Sequence, residues 1–373
     1  MKRHWRLGAA LLGAAMGLVA GGAAPVPVGA IEILSGPNAA YGTAIRNGLM
    51  LKLGEIEAHP AAGQLPITLR VEDSAGQKAQ AINAARILIG RDHVAAIIGP
   101  TLSNEMFAVG PVTNGRRIPT IGTSTTAKGI TDIGPYIFRT SLPEADVVPV
   151  TIRAAQQKFG VKTIALMYAD DDAFSKSSFD VMRDAAQKAG LKVVAVESFG
   201  SRDTDFAPQL TRIKALKPDA VGIAALVEPT AGVLLQARQL GFGKETLFIG
   251  GNGANSPKLG QIAGAAADGL IVGSPWFLGK DDPANKAFVA AFRAKYGHDP
   301  DQFAAQAYDT MGILAQAIDR AGGDDPKRIR DALMQTDYQG VMGPFRFTAH
   351  RDPALTSGVV VLVMHGGAFQ ILK

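Results

Sequence analysis

Short apolar runs recur along this chain, each closed by a turn rich in Gly, Ser, Thr or Asn and followed by a stretch whose apolar residues return every three or four positions. Val26 to Leu34 reads as a buried strand ending in the turn Ser35-Gly36-Pro37-Asn38, after which Ile45, Leu49, Leu53 and Ile56 mark one face of a helix. Ile67 to Val71 is a second strand. Ala81, Ala84, Ala85 and Leu88 mark the next helix face, where small residues let the helix lie close to a sheet. Val94 to Ile98 and Ile118 to Ile121 are strands with a helix from Asn104 between them, and Tyr136 to Arg139 closes the series. A second series starts near Ala145, after the break Ser141-Leu142-Pro143. Its strands are Thr163 to Tyr168, Lys192 to Phe199, Ala220 to Ala224, Leu247 to Ile249 and Leu270 to Val272. Its clearest helices carry Met182, Ala185, Ala186 and Ala189, and Val233 to Leu240. Strand and helix alternating in this way predict parallel sheets covered by helices on both faces.

The last hundred or so residues break the alternation. Ala284 to Tyr296, Phe303 to Ala321 and Pro326 to Gln335 read as consecutive helices, and Gly343 to Phe347 and Val359 to His365 as strands. These elements are too thin for a third domain, so they are expected to return and complete the two lobes already begun. The fold class expected is α/β, with two doubly wound, Rossmann-like lobes joined by a hinge that the chain crosses more than once. The expected division is 25–143 with 276–355 in the first lobe and 144–275 with 356–373 in the second. Such a hinge leaves a cleft between the strand ends of the two lobes.

Chemistry concentrates at one expected edge. In a parallel sheet the strands ending at Ile98 and Ile121 finish side by side, which brings Ser103 next to Thr123, Ser124, Thr125 and Thr126. Open α/β sheets bind ligands at that edge. Hydroxyls there, with free backbone N–H groups at the start of the Asn104 helix, form a neutral cradle for a small anion such as a carboxylate. The same residue types are also ordinary helix caps and turn formers.

With 373 residues, 47 % hydrophobic and 19 % charged, the chain is neither disordered nor a multi-span membrane protein. Residues 1–24 stand apart. Lys2, Arg3 and Arg6 form a basic head, Leu7 to Ala20 an apolar stretch too short to span a bilayer, and Gly22, Ala23 and Ala24 a small-residue cleavage site, the pattern of a secretory signal peptide. Its removal lowers the formal charge from +5 to +2, and so balanced a surface argues against a nucleic-acid partner. With no cysteine there is no disulfide and no lipid-bearing residue after the signal, so a free periplasmic protein is expected. The six histidines, His4, His59, His93, His298, His350 and His365, are not at metal-ligand spacing. The chain has no nucleophile elbow and no phosphate loop, and Gly250-Gly251-Asn252-Gly253 lacks dinucleotide-binding spacing. Asp170-Asp171-Asp172 lacks the spaced ligands of a calcium loop and is expected to be a solvated turn. Neither metal, cofactor nor catalysis finds support.

Several short motifs, in order and at matching spacing over nearly all of the mature sequence, carry a family likeness. They are Ser35-Gly36-Pro37 with Tyr41-Gly42, Ile97-Ile98-Gly99-Pro100 with Ser103, Phe138-Arg139-Thr140, Thr204-Asp205-Phe206, Lys217-Pro218-Asp219-Ala220, Gln236-Ala237-Arg238 with Leu240-Gly241, and Gly343-Pro344-Phe345. The chain resembles the periplasmic solute-binding proteins of the branched-chain amino acid type, which feed ATP-driven importers. The resemblance implies the type I fold of two hinged lobes closing on a ligand, a membrane permease as partner, and a monomer. It implies that Ser103, Ser124 and Thr126 hold the ligand carboxylate, and that Tyr41, Phe303 and Phe174 form aromatic walls, Phe174 standing where relatives carry Tyr. Asn252 falls where amino acid binders of the family tend to carry an acid that pairs with the ligand ammonium. Either another acid takes over, Glu144 and Glu228 being the nearest, or the ligand lacks an ammonium and is an aromatic or aliphatic acid. A ligand sensor of the same fold and, more remotely, an exported α/β enzyme are the alternative functions.

Overall fold

Consecutive apolar positions on the central strands bury both faces of two sheets, and that double burial fixes the architecture. The computed structural model describes residues 24–354 and 358–373, so residues 1–23 of the expected signal peptide lie outside it. The first series runs β1 (Val26–Glu32), α1 (Ala39–Ala58), β2 (Ile67–Asp73), α2 (Lys78–Gly90), β3 (Ala96–Ile98), α3 (Ser103–Gly115), β4 (Thr120–Gly122) and β5 (Ile137–Arg139). Its strands form a parallel sheet in the order β2-β1-β3-β4-β5. Val28 and Ala30 of β1 face Ile45 and Leu49 of α1, whereas Ile31 and Ile97 face Ala81, Ala85 and Leu88 of α2.

The second series runs α4 (Glu144–Phe159), β6 (Thr163–Ala169), α5 (Ala173–Lys188), β7 (Lys192–Phe199), α6 (Ala207–Ala215), β8 (Ala220–Ala224), α7 (Val227–Gln239), β9 (Leu247–Gly250), α8 (Pro257–Ala263) and β10 (Ile271–Ser274). Here Ile164 and Leu166 of β6 pack against Ile152 of α4 and Met182 of α5, while Ala165 and Met167 face the side of Leu210, Ile213 and Leu234.

The remaining elements are α9 (Pro283–Tyr296), α10 (Gln302–Ala321), α11 (Pro326–Leu333), β11 (Tyr338–Gln339), β12 (Pro344–Phe345), β13 (Val360–His365) and β14 (Ala368–Ile371). Helix α10 returns to the first sheet and lies along α1, sharing its core through Met311 and Leu314. Strand β13 pairs antiparallel with β10, and β14 with β13, giving a second sheet ordered β14-β13-β10-β9-β8-β6-β7.

Three details depart from the sequence expectation. β11 and β14 were not expected. β14 follows a two-residue turn, Gly366-Gly367, with both φ angles positive at 57° and 80°, a hairpin signal that the short, largely exposed strand concealed. The strand expected over Gly343 to Phe347 shrinks to Pro344–Phe345, because Gly343 takes φ 114° and Phe347 makes only an isolated bridge to Pro353.

The long contact between α1 and α10 requires Gly48. A Cβ there would lie 2.2 Å from the Ala304 carbonyl oxygen, so only hydrogen lets the two backbones approach. Gly54 in the same helix is different, since its Cβ would meet only the Lys295 ammonium at 3.6 Å. Gly48→Val should therefore lose about 1–3 kcal/mol of stability in urea unfolding, while Gly54→Ala gains about 0.5–1 kcal/mol. Equal responses from the two variants would refute the close-approach account.

Candidate functional site

Parallel pairing sets Ile98 of β3 opposite Ile121 of β4, so the turns that follow them emerge level. The first carries Thr101, Leu102 and Ser103, the second Ser124 and Thr126, and across the gap the turns after β6, β8 and β9 carry Phe174, Leu226 and Asn252 with Gly253. Tyr41 near the start of α1, and Gln302, Phe303 and Gln306 at the start of α10, complete the wall of a cavity of ≈ 30 Å³. The structure thus gathers Tyr41, Ser103, Ser124, Thr126, Phe174, Asn252 and Phe303 around one space. Not one of its lining residues is charged.

The hydroxyls at the first edge differ in what they have left to offer. Ser103 is the first residue of α3 and its side chain does not cap the helix; its Oγ accepts the Ala127 N–H at 3.3 Å, leaving its own proton free to donate. The Ser103 and Thr126 backbone N–H groups have no hydrogen-bond partner among the described residues. Ser124 Oγ, by contrast, donates to the Thr101 carbonyl at 2.6 Å, so that side chain ties the two turns together. Behind them Thr101 Oγ1 donates to Glu32 Oε2 at 2.6 Å. Burial lifts the Glu32 carboxyl well above the usual range, with nearby Glu105 adding to the shift, so the ground beneath the cradle tends to neutrality.

Of the two acids considered as replacements for Asn252, Glu144 abuts the site. Its side chain is fully buried in the first turn of α4 and accepts from Ser178 Oγ at 2.8 Å, Asn252 N at 3.1 Å and Thr126 Oγ1 at 3.5 Å. Among the described residues no Lys or Arg pairs with it, and burial raises its pKa while these donors partly offset the rise. Asn252 Oδ1 is buried without a partner among the described residues. Glu228 instead accepts the Asn38 N–H at 3.2 Å and does not line the cavity.

The two edges are also stitched directly. Tyr41 packs edge-on against Phe303, ring centroids 4.8 Å apart, so it is part of an aromatic wall. Its hydroxyl has a further use, accepting the Val227 N–H at 2.8 Å and donating to the Gly253 carbonyl, both across the gap. Asn104 Nδ2 donates to Asp172 Oδ1 at 2.7 Å and its Oδ1 accepts from Ala173 N at 3.0 Å. The Asp170-Asp171-Asp172 turn is therefore not simply solvated: Asp172 is buried, caps α5 through the Ser175 N–H and faces the opposite lobe. Gln302 donates to the Asn252 carbonyl at 3.3 Å and accepts from Asn255 at 2.9 Å.

Thr101, Leu102, Leu226, Gly253, Gln302 and Gln306 escaped the sequence reading. Leu226 and Gly253 follow strand ends and were reachable by the same edge argument. Gln302 and Gln306 stand one turn apart beside Phe303, and Asp309 and Thr310 continue the row, so polar residues recurring at helical spacing on a buried helix are the signal.

Residues 25–367 match the family model of the periplasmic binding proteins. A leucine-, isoleucine-, valine-, threonine- and alanine-binding protein of Pseudomonas aeruginosa is 26% identical over 321 residues, 86% of this chain and 84% of the relative. Among solved structures, a leucine binding protein from Thermotoga maritima superposes with a TM-score of 0.86 at 26% identity, covering 93% of this chain and 98% of that one. A branched-chain amino acid transporter substrate binding protein from Streptococcus pneumoniae, in complex with isoleucine, gives 0.85 at 27% with the same coverage. Shared layers, cleft and sequence make this chain a binder and not an enzyme: it belongs to the periplasmic binding protein family, as a type I solute-binding protein of the branched-chain amino acid class of ABC transport.

Proposed function

We propose that the protein is exported by its cleavable signal to the periplasm without a lipid anchor, and acts there as a monomer. It traps a small α-amino acid between residues 25–143 with 276–355 and residues 144–275 with 356–373, and presents the closed complex to a membrane permease. The observation that carries this reading is the position of Thr126. Thr126 lines the cavity beside Ser103 with its backbone N–H unpaired among the described residues, and its hydroxyl donates to the buried Glu144. A ligand whose carboxylate takes the Ser103 and Thr126 donors places an α-ammonium within reach of Glu144 and of Asn252 Oδ1, which has no partner among the described residues. Tyr41, Phe174, Leu226 and Phe303 then surround the side chain. The Pseudomonas aeruginosa relative, a leucine-, isoleucine-, valine-, threonine- and alanine-binding protein, supports the same class.

A second reading, an acid without an ammonium, is favoured by the neutral Asn252 and the two phenylalanines. Glu144→Gln separates the two. In titration calorimetry it should weaken a zwitterionic amino acid about a hundredfold or more and spare or improve an ammonium-free acid such as benzoate. The pH dependence follows the same logic. Because burial raises the Glu144 pKa, zwitterion affinity should fall as pH drops through that raised value, whereas benzoate affinity should not fall there. A zwitterion that binds Glu144→Gln as tightly as the parent protein would count against the amino acid reading.

Ser103→Ala should weaken any carboxylate ligand by about 1–3 kcal/mol, since the ligand loses a donor, and should lower ligand-free stability only by the bond that the Ala127 N–H loses, about 0.5–1.5 kcal/mol. If affinity is unchanged, the cradle lies elsewhere. Tyr41→Phe keeps the ring against Phe303 and removes only the hydroxyl that spans the gap. Small-angle scattering of the ligand-free variant should give a larger radius of gyration than the parent, and an identical value would show that the hydroxyl does not hold the lobes together.

A further inference from the structure

Gln306 is polar, lines the cavity and has nothing to bond to. It lies on α10, is 4 % exposed, and its side-chain amide makes no hydrogen bond to any described residue. Its neighbours are otherwise satisfied. Gln302, one turn earlier, bonds to Asn252 and Asn255, and Thr310, one turn later, bonds to Thr140 at 2.7 Å. Its amide is not among the fully buried orphan atoms and so opens onto the cavity, where a ligand that fills the space strips it of water and must replace the lost hydrogen bonds.

Helical spacing says which part of a ligand it meets. Gln306 follows Phe303 by three positions, so both side chains project from one face of α10. Phe303 lies edge-on to Tyr41, so the two rings form one wall of the cavity and Gln306 stands beside it. The part of a ligand that packs on the Phe303 ring is therefore the part within reach of the Gln306 amide. The absence of Lys, Arg, Asp and Glu from the cavity wall leaves a charged substituent there without a counter-ion.

We infer that Gln306 is a specificity residue that selects ligands bearing a neutral hydrogen-bonding group, a hydroxyl or a carboxamide, on the side chain rather than a purely hydrocarbon one. A carboxamide both donates and accepts, so either group satisfies it. A hydrocarbon tail of the same shape leaves it buried and unpaired, and sites of this kind discriminate strongly against the analogue that lacks the polar group. The inference rests on the carboxylate reading of the cavity but not on the presence of an ammonium.

Shape-matched pairs test it on the full mature protein by titration calorimetry: threonine against valine, and 4-hydroxybenzoate against benzoate. In the parent protein the polar member of at least one pair should bind about tenfold or more tightly than its apolar partner. In Gln306→Leu and in the longer, unbranched Gln306→Met, the preference should vanish or reverse while the melting temperature of the ligand-free protein holds. Two outcomes overturn the inference with the carboxylate reading intact: no preference in the parent protein, or an equal loss for both members of a pair, which would place the amide on the shared carboxylate. If no carboxylate binds while compounds lacking one do, the carboxylate reading fails and this inference falls with it.

Discussion

Parallel strands that end level are the constraint from which the site follows. When Ile98 and Ile121 pair across β3 and β4, their turns leave the sheet at one height, and the helix after β3 starts there with unpaired N–H groups. The second sheet obeys the same rule at β6, β8 and β9. Two such edges set face to face produce a gap walled by turns and helix starts, which are the parts of an α/β protein with spare hydrogen-bonding capacity. Residues far apart in sequence, Tyr41 and Gly253 among them, become neighbours only because both edges point inward.

The electrostatics of that gap are layered. Its surface is neutral, made of hydroxyls, amides and rings, while acids stand one layer back: Glu32 below the cradle and Glu144 behind Thr126. The two differ in their surroundings. Glu144 takes up donors on both oxygens, whereas Glu32 keeps one oxygen without a partner beside a second acid. A buried carboxylate supplied with donors but no cation is stabilised most by a ligand that brings positive charge.

Much of this was legible in the residues. Short unbroken apolar runs and period-3.6 patterns locate most strands and helices because both faces of the sheets are covered, as Ile31 and Ala30 illustrate on opposite sides of β1. Ser103 and Thr126 could be brought together from parallel pairing alone. What stayed hidden depends on the approach of one lobe to the other. Nothing local to Tyr41 says that its hydroxyl bridges two distant loops, nothing in the Asp170-Asp171-Asp172 run distinguishes the buried third aspartate from its neighbours, and nothing beside Ser124 says its proton is already committed to Thr101. Weak two-residue strands such as β11 carry too few side chains to show a period at all.

Helix α10 packs along α1 yet lies beyond the whole of the second series in the chain. During synthesis at about 5–20 residues per second, the apolar flank of α1 waits on the order of tens of seconds for the helix that covers it. The flank of α1 that bears Gly48 and Leu51 is uncovered for that interval, and the floor bearing Phe303 and Gln306 does not exist until it ends. The order in which the ribosome delivers the segments therefore keeps the nascent first lobe unfinished until most of the polypeptide has been made.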